Sequence, residues 1–425
     1  MTYQNTRRDL LKLAGATAAA SVVATGKAFS QQAGRVVVIG GGFGGATVAR
    51  YLRRAGVAVT LIDSNPNYIT CPFSNYVLSG VNQLASVTKS FDGLKAAGVT
   101  LVTGTVTGIN TTAKTVAVGG ASAPIPYDRL VISPGIDFKF SAIQGYNEAA
   151  TEKMPHAFKA GAQTTLLRNQ LVAMPDGGTF VMAVPDNPFR CPPGPYERAS
   201  QIAYYFKQAK PRSKIIIVDA KEAFSKQGLF TAAWAELYPG MIEWRPPSKG
   251  GGKTVSVDLA AMTVATEFDK VKGDVVNVIP PQRSGTVVDL AGLADGDWCA
   301  VDAKTFESKK VPGIHLVGDA ILAGAMPKSG FSANNQGKIA AAAIVNMLAN
   351  KPAESPSYIN TCYSLVAPDY GISVANVYTV GADGNIAAVP NTGGVSPAGA
   401  PAAFRKQEAD YARGWYASIS ADIWG

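Results

Sequence analysis

The sequence has little histidine, little cysteine and few charges, and each shortage excludes a class of protein. Its 425 residues include 2 histidines and 4 cysteines, and charged residues make up 16%. So few histidines argue against zinc hydrolases, histidine-based triads and multi-haem proteins, and we expect no metal site. No C-x-x-C-H motif occurs, so this chain attaches no c-type haem itself. The low cysteine count also excludes a disulfide scaffold.

Long apolar runs and basic runs are missing as well. No stretch reaches the roughly 20 apolar residues of a transmembrane helix, so we expect no membrane span. The formal net charge is +9, but Lys and Arg form no run of the nucleic-acid-binding kind, so nucleic acid is not an expected partner. A length suited to two or three domains and 47% apolar residues allow large cores and exclude a disordered chain.

Residues 1–30 contain the three regions of an export signal. Residues 6–12 (TRRDLLK) match the twin-arginine pattern, an apolar stretch follows over residues 13–25, and residues 28–30 (AFS) suit a cleavage site. The alternative is a chance arginine pair before an ordinary N-terminal helix. A twin-arginine signal implies export of a folded protein that already holds its cofactor. We therefore expect the mature chain in the periplasm.

A dinucleotide-binding motif opens the mature chain. The β-branched run Arg35–Ile39 predicts a buried parallel strand, and a G-x-G-x-x-G motif with Gly40, Gly42 and Gly45 follows it. Gly40 permits the tight turn, Gly42 lets the backbone approach a pyrophosphate, and Gly45 lets the next helix pack on the strand. A second predicted strand leads to Asp63, where a carboxylate bonds a ribose hydroxyl. The sequence predicts dinucleotide binding here, with a structural glycine turn as the alternative.

Two later motifs favour FAD over NAD. A predicted strand over residues 313–317 leads into Gly318-Asp319, which resembles the second FAD fingerprint of flavoproteins with two dinucleotide-binding domains, whose aspartate bonds the ribityl chain. A helix predicted to begin near Ser332 or Ala333 would point its N-terminal dipole at the flavin pyrimidine end. Residues 127–135 supply the strand and small-residue turn, ending at Gly135, where the chain leaves the FAD domain. Together these motifs predict an α/β flavoprotein.

The middle of the chain predicts a second nucleotide-domain shape without a phosphate loop. A strand over 177–184, a helix over 196–209 and a strand over 214–219 form a βαβ unit. In place of a second glycine motif, residues 185–195 (PDNPFRCPPGP) form a stiff turn with few backbone donors. We therefore expect no NAD(P) binding. Cys191 in this turn would face the crevice between domains.

Around its cysteines the sequence closely resembles a known family, the flavoprotein subunit of flavocytochrome c sulfide dehydrogenase, and the related periplasmic flavoprotein of sulfur-oxidation systems. The motifs that carry the resemblance are TCPFSN at 70–75, FRCPPGPYERA at 189–199, NTCY at 360–363 and PKSG at 327–330. The resemblance covers essentially the whole mature chain. It implies a glutathione-reductase-like α/β flavoprotein with two dinucleotide-binding domains and a C-terminal interface domain.

The motifs and the resemblance together divide the chain into domains. After the signal, they predict an FAD-binding domain in two parts (31–145 and 284–350), a second Rossmann-like domain without a nucleotide fingerprint (146–283) and an interface domain that carries Cys362 (351–425). The implied cofactor-binding residues are Gly40, Gly42, Gly45, Asp63, Cys71, Gly135, Gly318, Asp319, Lys328 and Ser329.

Spacing alone does not choose among the three complete pairings that four cysteines allow, but the resemblance implies a role for most of them. Cys71 matches the family's thioether to the flavin; the alternative is a buried free thiol. Cys191 and Cys362 match a redox-active pair beside the flavin; the alternative is a purely structural disulfide. Cys299 is left as a small core residue. Glu197 matches an acid that manages protons near the disulfide, or it compensates the dipole of a helix start.

The resemblance implies a reaction with sulfide. Hydrosulfide would attack the disulfide and give a persulfide and a thiolate, and two electrons would pass to FAD and on to a c-type cytochrome. The alternatives are an accessory flavoprotein that acts on protein-bound sulfur and a sulfide:quinone oxidoreductase. A type II NADH dehydrogenase fits less well, because the second glycine motif is missing.

The sequence gives less specific predictions for the aromatic residues of the tail and for the two histidines. Trp415, Tyr416 and Trp424 would either lie at the cytochrome contact or pack in the core. His315 lies in an apolar strand and is expected in the core or at the flavin edge. His156 has no supporting constellation and is expected at the surface.

Overall fold

The computed structural model describes residues 34–425, so the export signal predicted for residues 1–30 lies outside the described part. The elements of residues 35–138 are β1 (Arg35–Ile39), α1 (Phe43–Arg54), β2 (Ala58–Asp63), β3 (Asn67–Ile69), α2 (Asn75–Ser79), β4 (Thr88–Ser90), α3 (Asp92–Ala96), β5 (Thr100–Thr103), β6 (Val106–Asn110), β7 (Thr115–Val118), β8 (Ile125–Pro126), β9 (Arg129–Ile132) and β10 (Ile136–Phe138).

The middle segment alternates helices and strands before a run of short strands. Its elements are α4 (Ala162–Ala173), β11 (Thr179–Val184), α5 (Gly194–Ala209), β12 (Lys214–Asp219), α6 (Gln227–Leu237), β13 (Ile242–Arg245), β14 (Thr254–Asp258), β15 (Thr263–Thr266), β16 (Lys270–Lys272), β17 (Val275–Val278) and β18 (Gln282–Ser284).

The last segment returns to the first sheet and then forms a long hairpin and a final helix. Its elements are β19 (Ala294–Asp295), β20 (Trp298–Cys299), β21 (Ile314–Leu316), α7 (Gly330–Leu348), β22 (Tyr358–Ala367), β23 (Tyr370–Val380), β24 (Ile386–Ala388), β25 (Gly394–Val395) and α8 (Ala402–Trp424). None of the helices in residues 34–425 is both long and apolar enough to cross a bilayer.

Two parallel sheets organise the first two parts of the molecule. The first has the order β21-β9-β1-β2-β5, so a strand from late in the chain completes the sheet that begins it. The second has the order β13-β12-β11-β17. Strands such as β1, whose Val36–Ile39 are all buried, are apolar throughout because both faces of a parallel sheet are covered. This architecture confirms the predicted α/β fold class.

The C-terminal part is an antiparallel sheet with a helix that reaches back to the first domain. Strands β22 and β23 pair along most of their length, and β24 and β25 both pair with β23. Helix α8 packs on β23, and its last turn enters the core of the first sheet through Ile423 and Trp424. The end of the chain is therefore part of the dinucleotide-binding core.

Helix starts differ slightly from the sequence expectation. Helix α7 begins at Gly330, earlier than the predicted Ser332 or Ala333, because the Ser329 hydroxyl caps it by accepting the Ser332 backbone N–H at 3.0 Å. Helix α5 begins at Gly194, immediately after Pro193, and not at Tyr196. Both helices therefore start right beside the residues predicted to form the site.

Candidate functional site

The loop between β1 and α1 is shaped by glycines that no other residue could replace. Gly40 has φ +94°, and a Cβ there would lie 2.3 Å from the Ser133 carbonyl oxygen. A Cβ on Gly45 would lie 2.0 Å from the Gly40 carbonyl oxygen. The Gly41 backbone N–H donates to Asp63 Oδ2 at 2.7 Å. The loop therefore approaches its neighbours as closely as a dinucleotide cradle requires, with the carboxylate of β2 at its side.

A cleft of about 840 Å³ runs from this loop to the start of α7. Its lining includes residues next to β1, β2 and β9, from early in the chain, and residues that follow β21, from late in the chain. The predicted cofactor residues that line it are Gly40, Gly42, Asp63, Cys71, Gly135, Gly318, Asp319, Lys328 and Ser329. The remaining one, Gly45, lies in α1, where it packs against Gly40. The cleft is of a size that suits a large cofactor.

The residues of the cleft fit FAD. Asp319 Oδ1 is buried and has no hydrogen-bond partner among residues 34–425, which leaves an acceptor free for a hydroxyl such as those of a ribityl chain. Burial raises the pKa of Asp319, while Arg190 and Lys328 oppose this rise. Lys328 Nζ donates to the Asp319 carbonyl oxygen at 2.9 Å. The N-terminus of α7, with Ser329 as its cap, lines the same cleft and offers its positive dipole end.

Three of the four cysteines lie together where this cleft meets a second cavity. Cys71 and Cys191 line both spaces, and Cys362 lines the second one. Cys191 takes a left-handed backbone conformation with φ +83°, which a non-glycine residue rarely adopts. Its N–H donates to the Lys328 carbonyl oxygen at 2.8 Å, and this bond helps to hold it against the cleft. All four cysteines are free thiols in this structure.

Burial raises the pKa of the Cys191 thiol well above its ordinary value, and the nearby Cys362 and Glu197 raise it further. Cys71 Sγ lies 3.6 Å from the Phe158 carbonyl oxygen. Cys299 is fully buried in the core of the first sheet, as expected of a small core residue.

Glu197 lies in the first turn of α5 and lines the cavity of the cysteines. Its Oε2 accepts Asn75 Nδ2–H at 2.9 Å, and its Oε1 accepts the Leu365 backbone N–H at 3.0 Å. Burial raises the pKa of Glu197, although these two hydrogen bonds and Lys226 oppose the rise. This position suits proton transfer beside the cysteines and also compensation of the helix dipole.

Lys226 is a site residue that sequence reasoning missed. Its Nζ donates to the Cys362 carbonyl oxygen at 2.9 Å and to Ser364 Oγ at 2.8 Å. Burial lowers its pKa to about 8, while the charges of Cys362 and Glu197 work in the opposite direction. It lies 136 residues from Cys362 in the sequence, and no local pattern could have revealed the contact.

Two arginines, the half-buried Arg190 and the buried Arg198, fix the backbone around the cysteines. Arg190 Nε donates to the Phe158 carbonyl oxygen at 3.1 Å. Arg198 is 2% exposed and donates to the His156 carbonyl oxygen and to Asn277 Oδ1, both at 2.9 Å. The lining of the cavity of the cysteines therefore combines apolar side chains with these two guanidinium groups and the Glu197 carboxylate.

The expectation that His156 is a surface residue is wrong. It is 7% exposed, its Nδ1 accepts the Phe158 backbone N–H at 3.0 Å, and burial lowers its pKa to about 3. Arg198 donates to the His156 carbonyl oxygen and so holds this residue in the interior. The residues next to His156 in the sequence do not indicate this contact. His315 is fully buried, and its Nδ1 lies 2.9 Å from the Thr305 carbonyl oxygen, so it is a core residue.

The tail aromatics pack around the site in three different ways. Trp415 lines the cavity of the cysteines. Tyr416 shares a 2.7 Å hydrogen bond with Thr70 Oγ1 and stacks on Phe73 with ring centroids 4.5 Å apart. Trp424 is 3% exposed and donates to the Gly41 carbonyl oxygen at 3.1 Å. The packing expectation is thus met for Trp424.

Comparison with known families gives three matches along the chain. Residues 164–280 match the family model described as the central part of the sulfide dehydrogenase (flavocytochrome c) flavoprotein chain. Residues 354–424 match that of the flavin-binding part of flavocytochrome c sulphide dehydrogenase. Residues 34–172 match the pyridine nucleotide-disulphide oxidoreductase family.

Solved structures with the same fold are more distant in sequence. The sulfide:quinone oxidoreductase of Aquifex aeolicus has a TM-score of 0.70 and 18% identity, with 92% of each chain covered. A chain of the covalent putidaredoxin reductase–putidaredoxin complex has a TM-score of 0.66 and 15% identity, with 89% of this chain and 93% of that chain covered. At these identities the likeness shows the fold alone.

A curated relative is much closer in sequence. The flavoprotein chain of sulfide dehydrogenase (flavocytochrome c) from Chlorobaculum thiosulfatiphilum is 56% identical over 45 residues, which cover 94% of that sequence and 10% of this chain. This match agrees with the two family models that cover the middle and C-terminal parts. The chain belongs to the family of flavocytochrome c sulfide dehydrogenase flavoprotein chains and is an FAD-dependent oxidoreductase.

Proposed function

We propose that this chain oxidises sulfide in the periplasm and delivers the electrons to a c-type cytochrome on another chain. One observation carries the proposal: Cys191, Cys362 and Glu197 line one cavity, and Cys191 also lines the adjoining FAD cleft. A sulfur substrate in this cavity would meet both cysteines and stay within reach of the cofactor. The name of the relatives, sulfide dehydrogenase, supports sulfide as the substrate.

The proposed sulfur step requires Cys191 and Cys362 in their oxidised, disulfide-bonded form. Hydrosulfide attacks one sulfur, the bond between the two cysteines breaks, and a new S–S bond forms as a persulfide. The other cysteine leaves with the electron pair as a thiolate. FAD, when bound, accepts the two electrons that sulfide gives up, and Cys71 is proposed to hold it covalently.

The charges around the cavity suit an anionic substrate. Lys226 and Arg198 are buried near the cysteines and Arg190 is half-buried there, and such cations in a largely apolar space attract hydrosulfide. Glu197, with a raised pKa, is placed to exchange a proton with the substrate or the leaving thiol.

The second Rossmann-like domain supports a sulfur donor over a pyridine nucleotide. Strand β11 is followed by Pro185 and Pro188 and then by Arg190 and Cys191, where a nucleotide-binding domain would have a glycine loop. Backbone N–H groups for a pyrophosphate are scarce in such a turn. Electrons would therefore enter through the cysteines.

The periplasm and the cytochrome are proposed from the sequence. The twin-arginine pattern supports export, and the lack of a C-x-x-C-H motif in this chain requires the haem to lie elsewhere.

Purified protein titrated with sulfide under anaerobic conditions tests the proposal, with flavin absorption as the readout. We expect bleaching near stoichiometric sulfide, a long-wavelength thiolate–flavin band, and then reduction of added cytochrome c.

An unchanged flavin spectrum would contradict sulfide oxidation, provided that the protein holds oxidised FAD and the disulfide. That result would favour the accessory role on protein-bound sulfur. Flavin bleaching with reduction of a quinone analogue but not of cytochrome c would contradict the proposed acceptor.

A further inference from the structure

Asn360 is a buried amide whose orientation is fixed by two serines. It lies on β22, is 2% exposed, and precedes Cys362 by two residues, so both side chains are on the same face of the strand. Its Oδ1 accepts Ser329 Oγ–H at 2.6 Å and Ser332 Oγ–H at 3.1 Å. The Ser329 hydroxyl thus accepts the Ser332 backbone N–H and donates its own hydrogen to Asn360.

With its carbonyl oxygen held by the serines, the amide turns its nitrogen toward sulfur. Asn360 Nδ2 lies 3.4 Å from Cys362 Sγ. Oδ1 lies 3.7 Å from the same sulfur, so the amide can also accept the proton of the neutral thiol. The side chain is thus placed to bond Cys362 in either protonation state, and the N–H bond is the stronger one when sulfur carries a charge.

The two cysteines of the proposed pair differ in their surroundings. Cys362 has the Asn360 amide at its sulfur and the Lys226 ammonium at its carbonyl oxygen. No hydrogen bond to Cys191 Sγ is present within residues 34–425, and the carboxylate of Glu197 lies near it. Arg190 and Arg198 bring positive charge near Cys191, but only the Cys362 sulfur has a hydrogen-bond donor within residues 34–425, so a thiolate at Cys362 gains a bond that one at Cys191 lacks.

We infer that Asn360 stabilises the thiolate of Cys362 by hydrogen bonding whenever the bond between Cys191 and Cys362 is open. Ser329 and Ser332 are the positioning residues that hold the amide in this orientation. The inference rests on the proposed function for its place in the reaction, because the bond opens there when hydrosulfide attacks it. The electron pair of the broken bond stays on Cys362 when hydrosulfide adds to Cys191, and Asn360 donates its N–H to that pair.

Two substitutions separate a hydrogen-bonding role from a space-filling one. Asn360→Leu removes the amide, and Asn360→Asp keeps its shape and its serine partners but replaces the N–H donor by a charged oxygen. Asn376→Leu is the matched control, because Asn376 pairs with Asn360 across β22 and β23 but, within residues 34–425, its side chain bonds only to Thr392 and its own strand. Flavin absorption and circular dichroism show that each variant is folded and loaded.

The test measures alkylation of the reduced holoenzyme by iodoacetamide near neutral pH, with Cys362 and Cys191 quantified separately by mass spectrometry of their peptides. Loss of a hydrogen bond to a charged sulfur, partly offset by the higher intrinsic reactivity of the remaining thiolate, should slow Cys362 by about three- to tenfold in both Asn360 variants. Asn376→Leu should match the wild type. An unchanged Cys362 rate in either Asn360 variant would overturn the inference.

The same variants connect the inference to sulfide. In Asn360→Leu we expect sulfide-dependent flavin reduction to slow by a similar factor. Alkylation involves neither sulfide nor flavin reduction, so it tests the hydrogen bond independently. Sulfide could leave the flavin absorption of the wild type unchanged while alkylation of Cys362 is still slower in both variants. That result would support the role of Asn360 and contradict the proposed function.

Discussion

The indole N–H of Trp424 donates to the carbonyl oxygen of Gly41 at 3.1 Å, which joins the last turn of the chain to the dinucleotide loop. The Trp424 ring also stacks on Tyr68 with centroids 5.4 Å apart and meets Phe43 edge-on at 5.1 Å. Because Gly41 is held from the other side by Asp63, the loop is fixed between β2 and the C-terminal helix. The helix α8 is thus part of the machinery that shapes the cofactor site.

Removal of the Trp424 ring should loosen this loop. We expect Trp424→Ala to lower the free energy of unfolding by about 3–5 kcal/mol, as for other buried aromatic side chains, and to reduce the FAD content. Trp424→Phe keeps the stacking and loses the hydrogen bond, which should cost about 1 kcal/mol. Denaturant unfolding and the ratio of flavin to protein absorption measure both effects. Wild-type values for Trp424→Ala would refute this role.

The sequence predicted best what depends on neighbouring residues. The strand Arg35–Ile39, the glycines after it and Asp63 form one continuous βαβ unit, so periodicity and spacing are enough to predict the unit and the bounds of its first strand. The strand Lys214–Asp219 was likewise predicted with its observed bounds. The second strand of the βαβ unit, expected over residues 57–62, runs over Ala58–Asp63. These segments are fixed by local conformational preferences and burial.

Contacts between distant segments could not be predicted in this way. Lys226 meets Cys362 across 136 residues, and Trp424 meets Gly41 across 383 residues. His156 was placed wrongly at the surface because its burial depends on the side chain of Arg198, which lies on another element. Packing between distant segments decides which residues surround a predicted cysteine. The pattern of a single sequence does not reveal these contacts.

Loss of either redox cysteine should stop the reaction and leave the cofactor in place. We expect Cys191→Ser and Cys362→Ser to abolish sulfide-dependent flavin reduction, because neither variant can form the disulfide that hydrosulfide attacks. Cys299→Ala is the matched control, since Cys299 is buried in the core. Anaerobic stopped-flow absorption measures the rates. Retained sulfide activity in both serine variants would exclude the disulfide mechanism.

The attachment of FAD through Cys71 has a simple chemical test. Cys71 lines the FAD cleft, and a thioether formed there would keep the flavin with the protein after acid precipitation. We expect the flavin of the wild type to stay in the pellet and that of Cys71→Ser to be released into the supernatant. Flavin that stays bound in Cys71→Ser, or is released from the wild type, would exclude this covalent site.

The charge of Lys226 should matter more for the reaction than for stability. Burial lowers its pKa from the ordinary value to about 8, and this cost of burying the ammonium offsets most of what its hydrogen bonds to the Cys362 carbonyl oxygen and Ser364 Oγ contribute. Lys226→Met should therefore lower the free energy of unfolding by no more than about 1 kcal/mol. The same variant should slow sulfide-dependent flavin reduction about tenfold, because the cation near Cys362 is lost. Thermal unfolding and stopped-flow rates separate the two effects. A destabilised variant with a wild-type rate would contradict this division.

The two histidines of the chain should make the fold sensitive to acid. Burial lowers the pKa of His156 to about 3 and that of His315 to about 4, from an ordinary value of 6.5. Between these values the unfolded chain binds protons that the folded chain does not, so the free energy of unfolding falls as the pH falls below 6.5. From about pH 7.5 to about pH 5 the loss should be about 2 kcal/mol for each histidine.

Substitution of the histidines should remove this sensitivity in steps. In His156→Asn the amide oxygen can accept the Phe158 N–H in place of Nδ1, and His315→Asn removes the second buried imidazole. Denaturant unfolding at the two pH values should show about 2 kcal/mol less acid destabilisation in each single variant and about 4 kcal/mol less in the double variant, because the two sites titrate independently. A double variant as acid-sensitive as the wild type would show that other groups govern the loss.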